Sequence, residues 1–386
     1  MEKKVFDLEK KEEKPVIAIC YDFDKTLSPN DMQAQGYIQS VNYDVKVFWE
    51  ESNELAQNND MDQNLAYMLK MIEKSRGNFY LTKEALMEYG AKVDLYPGVD
   101  KWFSHIQEYA QEKGVIVEHY IISSGLKEMI EGTEMAKAGA FKKIYASSYY
   151  YDKYGVAYWP AQVVNYTNKT QFLFRIKKGT LDINDDRVND YFPPEEIRIP
   201  FKNMIYIGDS ATDIPCMKLV NSYGGYSIGV YDPKKKDKEK VYKMINEGRI
   251  KYFVPADYTE GGELDVLIKN IIEKTQKSEE IEKRYYDNKL EASNNRVNMY
   301  EEKKNSLINN LTNSRSFAAT HTAIEQLKSI TDWNNEQLEQ LYAAAVNNGQ
   351  IRSIINDYDV EKFYKHLIKN YDFKNIDVET VEEMIN

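Results

Sequence analysis

Six short runs rich in β-branched and aromatic residues punctuate the first two thirds of the chain, at residues 16–22, 115–123, 143–146, 203–208, 226–231 and 251–254. Several are almost continuously apolar, the pattern of strands buried on both faces of a sheet. Between them lie segments with the helical period, such as 212–220 and 99–112, the latter repeating Trp102, Phe103, Ile106, Tyr109 and Ala110. Strands alternating with helices predict an α/β fold with a parallel sheet. The alternation then stops. All ten prolines lie at or before Pro255, and Gly349 is the sole glycine after Gly262. A tail without proline and nearly without glycine can be almost wholly helical.

One interval within the α/β region breaks the pattern. Residues 31–95 offer no buried strand but helix-like pieces at 33–54, 61–74 and 82–92, with Leu65, Met68, Leu69 and Ile72 on one face of the second. Pro97-Gly98 closes the interval. The predicted organisation is an α/β core from 1–30 and 96–275, a helical insertion at 31–95, and an all-helical module at 276–386. Within the module, 276–313 reads as a charged, Asn-rich connector, followed by helices at 317–330, 335–347 and 360–371. Asp332 and Asp357 or Asp359 are candidate N-caps and Gly349 a candidate C-cap. Residues 149–159, YYYDKYGVAYW, read as a hairpin turning at 152–155. Its aromatics either pack on the core or, through Tyr158 and Trp159, form a wall beside a site.

Composition excludes several classes. Two cysteines, Cys20 and Cys216, and four histidines rule out a disulfide scaffold and leave zinc few ligands. Both cysteines sit among apolar neighbours and are expected in the core, and His119, within a strand, is expected to be a packed or rim histidine. The basic and acidic totals, 51 and 62, leave a net charge of −11, which argues against a general polyanion binder. Lys234, Lys235, Lys236, Lys238 and Lys240 read as a solvated face. No apolar run has the length of a signal peptide or a membrane span, so a soluble cytoplasmic protein is the expectation.

The chemistry concentrates where predicted strands end. The first runs into Asp22-Phe23-Asp24-Lys25-Thr26. Ligands bind open α/β sheets at the carboxyl ends of the strands. Strand alternation puts Asp22 and Asp24 on one side, and paired carboxylates call for a shared proton or a hard cation such as Mg²⁺. The second strand runs into Ser123-Ser124-Gly125, which offers hydroxyls and backbone N–H groups. Lys169 opens an apolar helix, and the run at 203–208 ends in Gly208-Asp209 with Asp213 four residues on. Carboxylates, a hydroxyl, a fixed cation and a metal around one point suit phosphoryl transfer through an aspartyl-phosphate.

These segments resemble the haloacid dehalogenase superfamily of hydrolases, whose Rossmann-like core carries four motifs. IAICYDFDKTL matches its strand with DxDxT, YIISSG its strand with Ser or Thr, NKTQFLF its Lys before a helix, and MIYIGDSATD its GDxxxD. The resemblance spans about residues 15–260. It implies that Asp22 is the nucleophile, Asp24 the general acid and base, and Thr26 a support of the loop. Ser123, with Ser124 as an alternative, and Gly125 would hold the phosphoryl group, and Lys169, with Lys142 and Lys143 as alternatives, would bridge it to Asp22. Asp22, the Asp24 carbonyl and Asp209 would bind Mg²⁺, with Asp213 supporting them. The acid at position 24 implies a phosphatase rather than a dehalogenase, and the insertion at 31–95 falls where helical caps occur. Three readings follow: a phosphatase of a small phosphorylated metabolite; a phosphatase of nucleotides or nucleic-acid ends; and an enzyme core joined to a C-terminal module for protein partners or self-association, motivated by Phe317, Trp333 and Tyr364.

Overall fold

A computed structural model describes residues 6–235, 238–294 and 299–385. Lys236 of the basic run lies outside the described residues. The chain divides into two compact units, Met1–Val188 with Phe192–Glu280, and Asn189–Tyr191 with Ile281–Asn386.

The first unit is built on a seven-stranded sheet of β1 (Val16–Tyr21), β2 (Ile116–Leu126), β3 (Lys143–Tyr151), β4 (Ala157–Gln162), β5 (Met204–Gly208), β6 (Tyr226–Tyr231) and β7 (Tyr252–Pro255), in the order β4-β3-β2-β1-β5-β6-β7. Neighbours run parallel except the β3–β4 hairpin. The α/β expectation is therefore met. Alternation along β1 sends Ile17, Ile19 and Tyr21 into one core layer and Val16, Ala18 and Cys20 into the other. Helix Val99–Glu112 covers the first layer with Trp102, Phe103, Ile106 and Ala110. Helices Lys169–Lys178 and Ile214–Ser222 cover the second, burying Phe172, Leu173, Cys216 and Met217.

His119 is wholly buried on β2 inside a closed hydrogen-bond chain. Trp102 Nε1–H donates to the Tyr21 hydroxyl at 2.8 Å, which lies 3.0 Å from His119 Nδ1, while Nε2 lies 3.2 Å from the Phe103 carbonyl. A carbonyl only accepts, so Nε2 carries the proton and Nδ1 takes the tyrosyl hydrogen. Every member is satisfied only if the imidazole is neutral. Burial accordingly pushes its pKa down to about 3.

The interval between β1 and β2 holds helices Val45–Asn58, Gln63–Ser75 and Lys83–Gly90. The single helix expected over 33–54 is broken: the chain takes a left-handed step at Asn42, φ 52°, and restarts where the Asp44 carboxylate accepts from Val47 N–H. Helix Lys83–Gly90 crosses helix Lys127–Glu131 with the backbones in contact. A Cβ at Gly90 would lie 1.8 Å from the Met129 carbonyl oxygen, and one at Gly132 would lie 2.0 Å from that of Met87.

The second unit is helical: Met299–Thr312, Phe317–Leu327, Asn335–Asn347, Gly349–Ser353, Tyr358–Asn370 and Ile376–Ile385. Leu311, Ile324, Leu341, Tyr342, Val360 and Tyr364 form its own core. Three expectations change. Trp333 and Tyr364 are buried in that core, leaving Phe317 exposed. Asn334, not Asp332, caps Asn335–Asn347, because its carboxamide reaches Gln337 N–H while the Asp332 carboxylate takes the Tyr300 hydroxyl. Gly349 opens a short helix capped by Asn348 instead of closing the one before. Among the described residues no helix is long and apolar enough to cross a membrane.

Candidate active site

Register decides which side chains meet. Tyr21 pairs with Ile121 of β2 and Ile207 of β5, so the residues that follow emerge at one level of the sheet's carboxyl edge. Asp22 N–H still donates to Ile207 O at 3.0 Å. Beyond it the chain reverses. Lys25 is left-handed, φ 59°, and the N–H groups of Thr26, Leu27 and Ser28 all point at the Phe23 carbonyl. The Thr26 carbonyl accepts from the Tyr258 hydroxyl at 2.8 Å, whereas its own hydroxyl is buried and meets no partner among the described residues. The loop thus uses the Thr26 backbone.

β2 continues past Ser123, the strand end expected from the sequence, but bulges. Ser123 pairs with Ala146 and Leu126 with Ser147, so Ser124 and Gly125 stand out of the ladder. The buried Ser123 hydroxyl accepts from Gly125 N–H at 3.1 Å. Asp209 follows β5, and Asp213 begins helix Ile214–Ser222. Gly208, the last residue of β5, leaves room for the second carboxylate, since a Cβ there would lie 2.5 Å from Asp213 Oδ2.

Lys169 begins helix Lys169–Lys178 and is wholly buried. Its Nζ lies 2.8 Å from Asp213 Oδ1 and 3.2 Å from Asp22 Oδ2. Lys142 instead pairs with Glu9 at 2.9 Å, and Lys143 opens β3. Carboxylate oxygens of Asp22, Asp209 and Asp213 lie within 4.8 Å of one another. Three buried carboxylates with oxygen donors fit a hard divalent cation. The Asp24 carboxylate points elsewhere: Oδ1 accepts from Met32 N–H at 2.8 Å, on the Gly125 side of the pocket.

The electrostatics follow from burial of like charges. Desolvation, with Asp213 and Asp209 adding to it and Lys169 opposing, raises Asp22 to about 7. Burial, then Asp31 and Asp22, hold Asp24 well above the ordinary carboxylate range. Burial raises Asp209 against the ammonium of Lys240. For Lys169, burial pulls downward, but Asp213 and Asp22 outweigh it and keep the ammonium charged.

Asp22, Asp24, Ser123, Asp209 and Lys240 line a cavity of about 530 Å³ that also touches Met61, Gln63, Asn64 and Tyr166, whereas the fully buried Lys169 and Asp213 are not part of its lining. Tyr158 and Trp159 are exposed and do not line it. The inserted helix Gln63–Ser75 is hydrogen-bonded onto the loops beneath. Asn165 Nδ2 donates to Asp62 at 2.7 Å, Asn64 Nδ2 to Val164 O at 2.8 Å, and the Tyr67 hydroxyl to Ser124 O at 2.8 Å. Sequence reasoning missed three groups. Lys240 is solvent-exposed, as expected of the basic run, yet its ammonium sits 2.9 Å from Asp209 Oδ2. The Tyr206 hydroxyl donates to Asp213 Oδ1 at 2.9 Å from within a strand that reads as plain core. Asp62 carried no signal beyond a helix-cap position.

The haloacid dehalogenase-like hydrolase family model matches residues 19–218, more than half of the chain. A Borreliella burgdorferi protein described as uncharacterized is 29% identical over 279 residues, which cover 66% of this chain and 95% of that one. Among solved structures, a HAD family hydrolase from Salmonella enterica serovar Typhi superposes with a TM-score of 0.45 at 18% identity, covering 68% of this chain and 74% of the other. A phosphoserine phosphatase captured as a phospho-aspartyl intermediate analogue gives 0.40 at 16% identity, over 67% and 99%. Asp22, Ser123, Lys169 and Asp209 all fall within the matched span, and the chain belongs to the haloacid dehalogenase-like hydrolases.

Proposed function

We propose that this protein is a phosphatase that hydrolyses a small phosphoric monoester through an aspartyl-phosphate on Asp22, with Mg²⁺ as its cation. The observation that carries the reading is the wholly buried Lys169, whose ammonium spans Asp22 and Asp213 beside the three-carboxylate cluster. A cation fixed against a nucleophilic carboxylate suits neutralisation of equatorial phosphoryl oxygens. Asp22, the Asp24 carbonyl and Asp209 would hold the Mg²⁺, which when bound offsets phosphoryl charge. Asp213, with both oxygens already occupied, supports the arrangement from behind.

In the first step an Asp22 carboxylate oxygen forms a bond to phosphorus as the ester P–O bond breaks, and Asp24 gives its proton to the departing alkoxide. In the second, Asp24 takes a proton from water, the hydroxide adds to phosphorus, and Asp22 leaves as carboxylate. The raised pKa of Asp24 supports its carrying that first proton. Ser123 and the Gly125 loop face the phosphoryl oxygens, and the helices of 31–95 act as a cap that selects the leaving group.

The test is phosphate release from a panel of phosphomonoesters with and without Mg²⁺. Asp22→Asn is expected to lose about a thousandfold or more in kcat. Undiminished release by that variant would overturn the mechanism.

A further inference from the structure

Asp213 is the most heavily hydrogen-bonded carboxylate of the site. Its Oδ2 accepts from Ser210 N–H at 3.2 Å and from Ser210 Oγ at 3.1 Å. Its Oδ1 accepts from Lys169 Nζ at 2.8 Å and from Tyr206 Oη at 2.9 Å. Tyr206 is fully buried, at the middle of β5, paired with Cys20 and Ser227 on either side. An aliphatic side chain would satisfy that position in the core layer it shares with Met204 and Cys216. A phenol buried there needs a partner for its hydroxyl, since burial strips its water away and an unpaired hydroxyl is destabilising. Its hydroxyl is paired with Asp213.

The consequence is geometric. Lys169 divides one ammonium between two carboxylates, closer to Asp213 than to Asp22. The balance depends on how much negative charge Asp213 Oδ1 keeps. With Tyr206 also donating to that oxygen, Asp213 is partly satisfied and the ammonium is left to reach Asp22. We propose, resting on the phosphatase reading above, that Tyr206 is a positioning residue: through Asp213 it sets where Lys169 sits over the nucleophile. Tyr206 touches neither substrate nor the reacting atoms.

The experiment is a double-mutant cycle with Tyr206→Phe, Asp213→Asn and the pair, in the full chain with Mg²⁺ and an aryl phosphate. It is read in kcat, in KM, and in the calorimetric dissociation constant of orthovanadate, a mimic of the transferring phosphoryl group. Tyr206→Phe is expected to lower kcat about tenfold and to weaken vanadate by a similar factor, with KM within about twofold. In the Asp213→Asn background the same change should have no further effect. Vanadate binding carries the cycle if Asp213→Asn turns over too slowly to follow. Equal losses in both backgrounds, or a change confined to thermal stability, would show that Tyr206 is only core and overturn the inference. An inactive wild type would instead overturn the phosphatase reading.

Discussion

The neutral imidazole of His119 fixes how the first unit responds to acid. An unfolded histidine takes its proton near pH 6.5, whereas the buried one resists until about 3. Between those values the unfolded chain binds one proton more than the folded chain, so stability rises with pH across the window and is unaffected above it. Each pH unit below 6.5 removes about 1.4 kcal/mol, hence about 2 kcal/mol at about pH 5 from this residue alone. The figure needs no discount for solvent screening, because His119 is wholly buried. Replacing it by Gln, which keeps one donor and one acceptor, removes the titration and leaves the other ionisable groups in place. The assay is urea unfolding at about pH 7.5 and about pH 5, read by amide exchange of peptides from β1 and β2 so that the first unit is followed alone. Wild type should lose about 2 kcal/mol more than His119→Gln between the two conditions. Equal losses would mean that the ring accepts a proton in the folded state, and the hydrogen-bond chain described above would be wrong.

Gly90→Ala and Gly132→Ala each drive a methyl into a facing carbonyl oxygen and should destabilise the first unit by about 1–3 kcal/mol, measurable as a lower urea midpoint. Lys240→Gln removes the ammonium that sits on Asp209, so calorimetry should show Mg²⁺ binding about fivefold tighter; weaker binding would contradict competition between the two cations. Arg198 grips Glu118 with two bonds of 2.6 and 2.7 Å, and Arg198→Met, which leaves that carboxylate the Tyr120 hydroxyl at 2.6 Å and Lys142 at 4.0 Å, should cost about 1–3 kcal/mol in urea unfolding.

What the sequence disclosed follows from which signals are local. The buried parallel strands announce themselves as apolar runs, and Asp22, Ser123 and Asp209 are found because each follows or ends such a run. Lys169 is found by its helix start. Tyr206 escapes because a strand pattern records that a side chain is buried, not what its hydroxyl meets. Lys240 escapes because its destination depends on where helix Glu239–Asn246 lies beside β6, a tertiary fact. The bulge at Ser124-Gly125 is likewise a matter of pairing with β3. In the second unit, the helical period located Phe317–Leu327, Asn335–Asn347 and Tyr358–Asn370, but not Gly349–Ser353 or Ile376–Ile385, nor the partners of any of them. Trp333 and Tyr364 therefore looked available while in fact filling the unit's own core.

The hydrogen bonds from helix Gln63–Ser75 divide the cavity wall into two kinds of position. Asp62, Asn64 and Tyr67 hold the helix to the loops around Ser124, Val164 and Asn165, next to Ser123 and Lys169. Any change there would disturb the proposed phosphoryl site along with the wall. Among the described residues, Met61, Gln63 and Tyr166 face the same space without such ties. For anyone redesigning the cavity, those three are the positions to randomise, and a library that spares the other three would keep the loops at Ser124 and Asn165 in register while the facing wall varies.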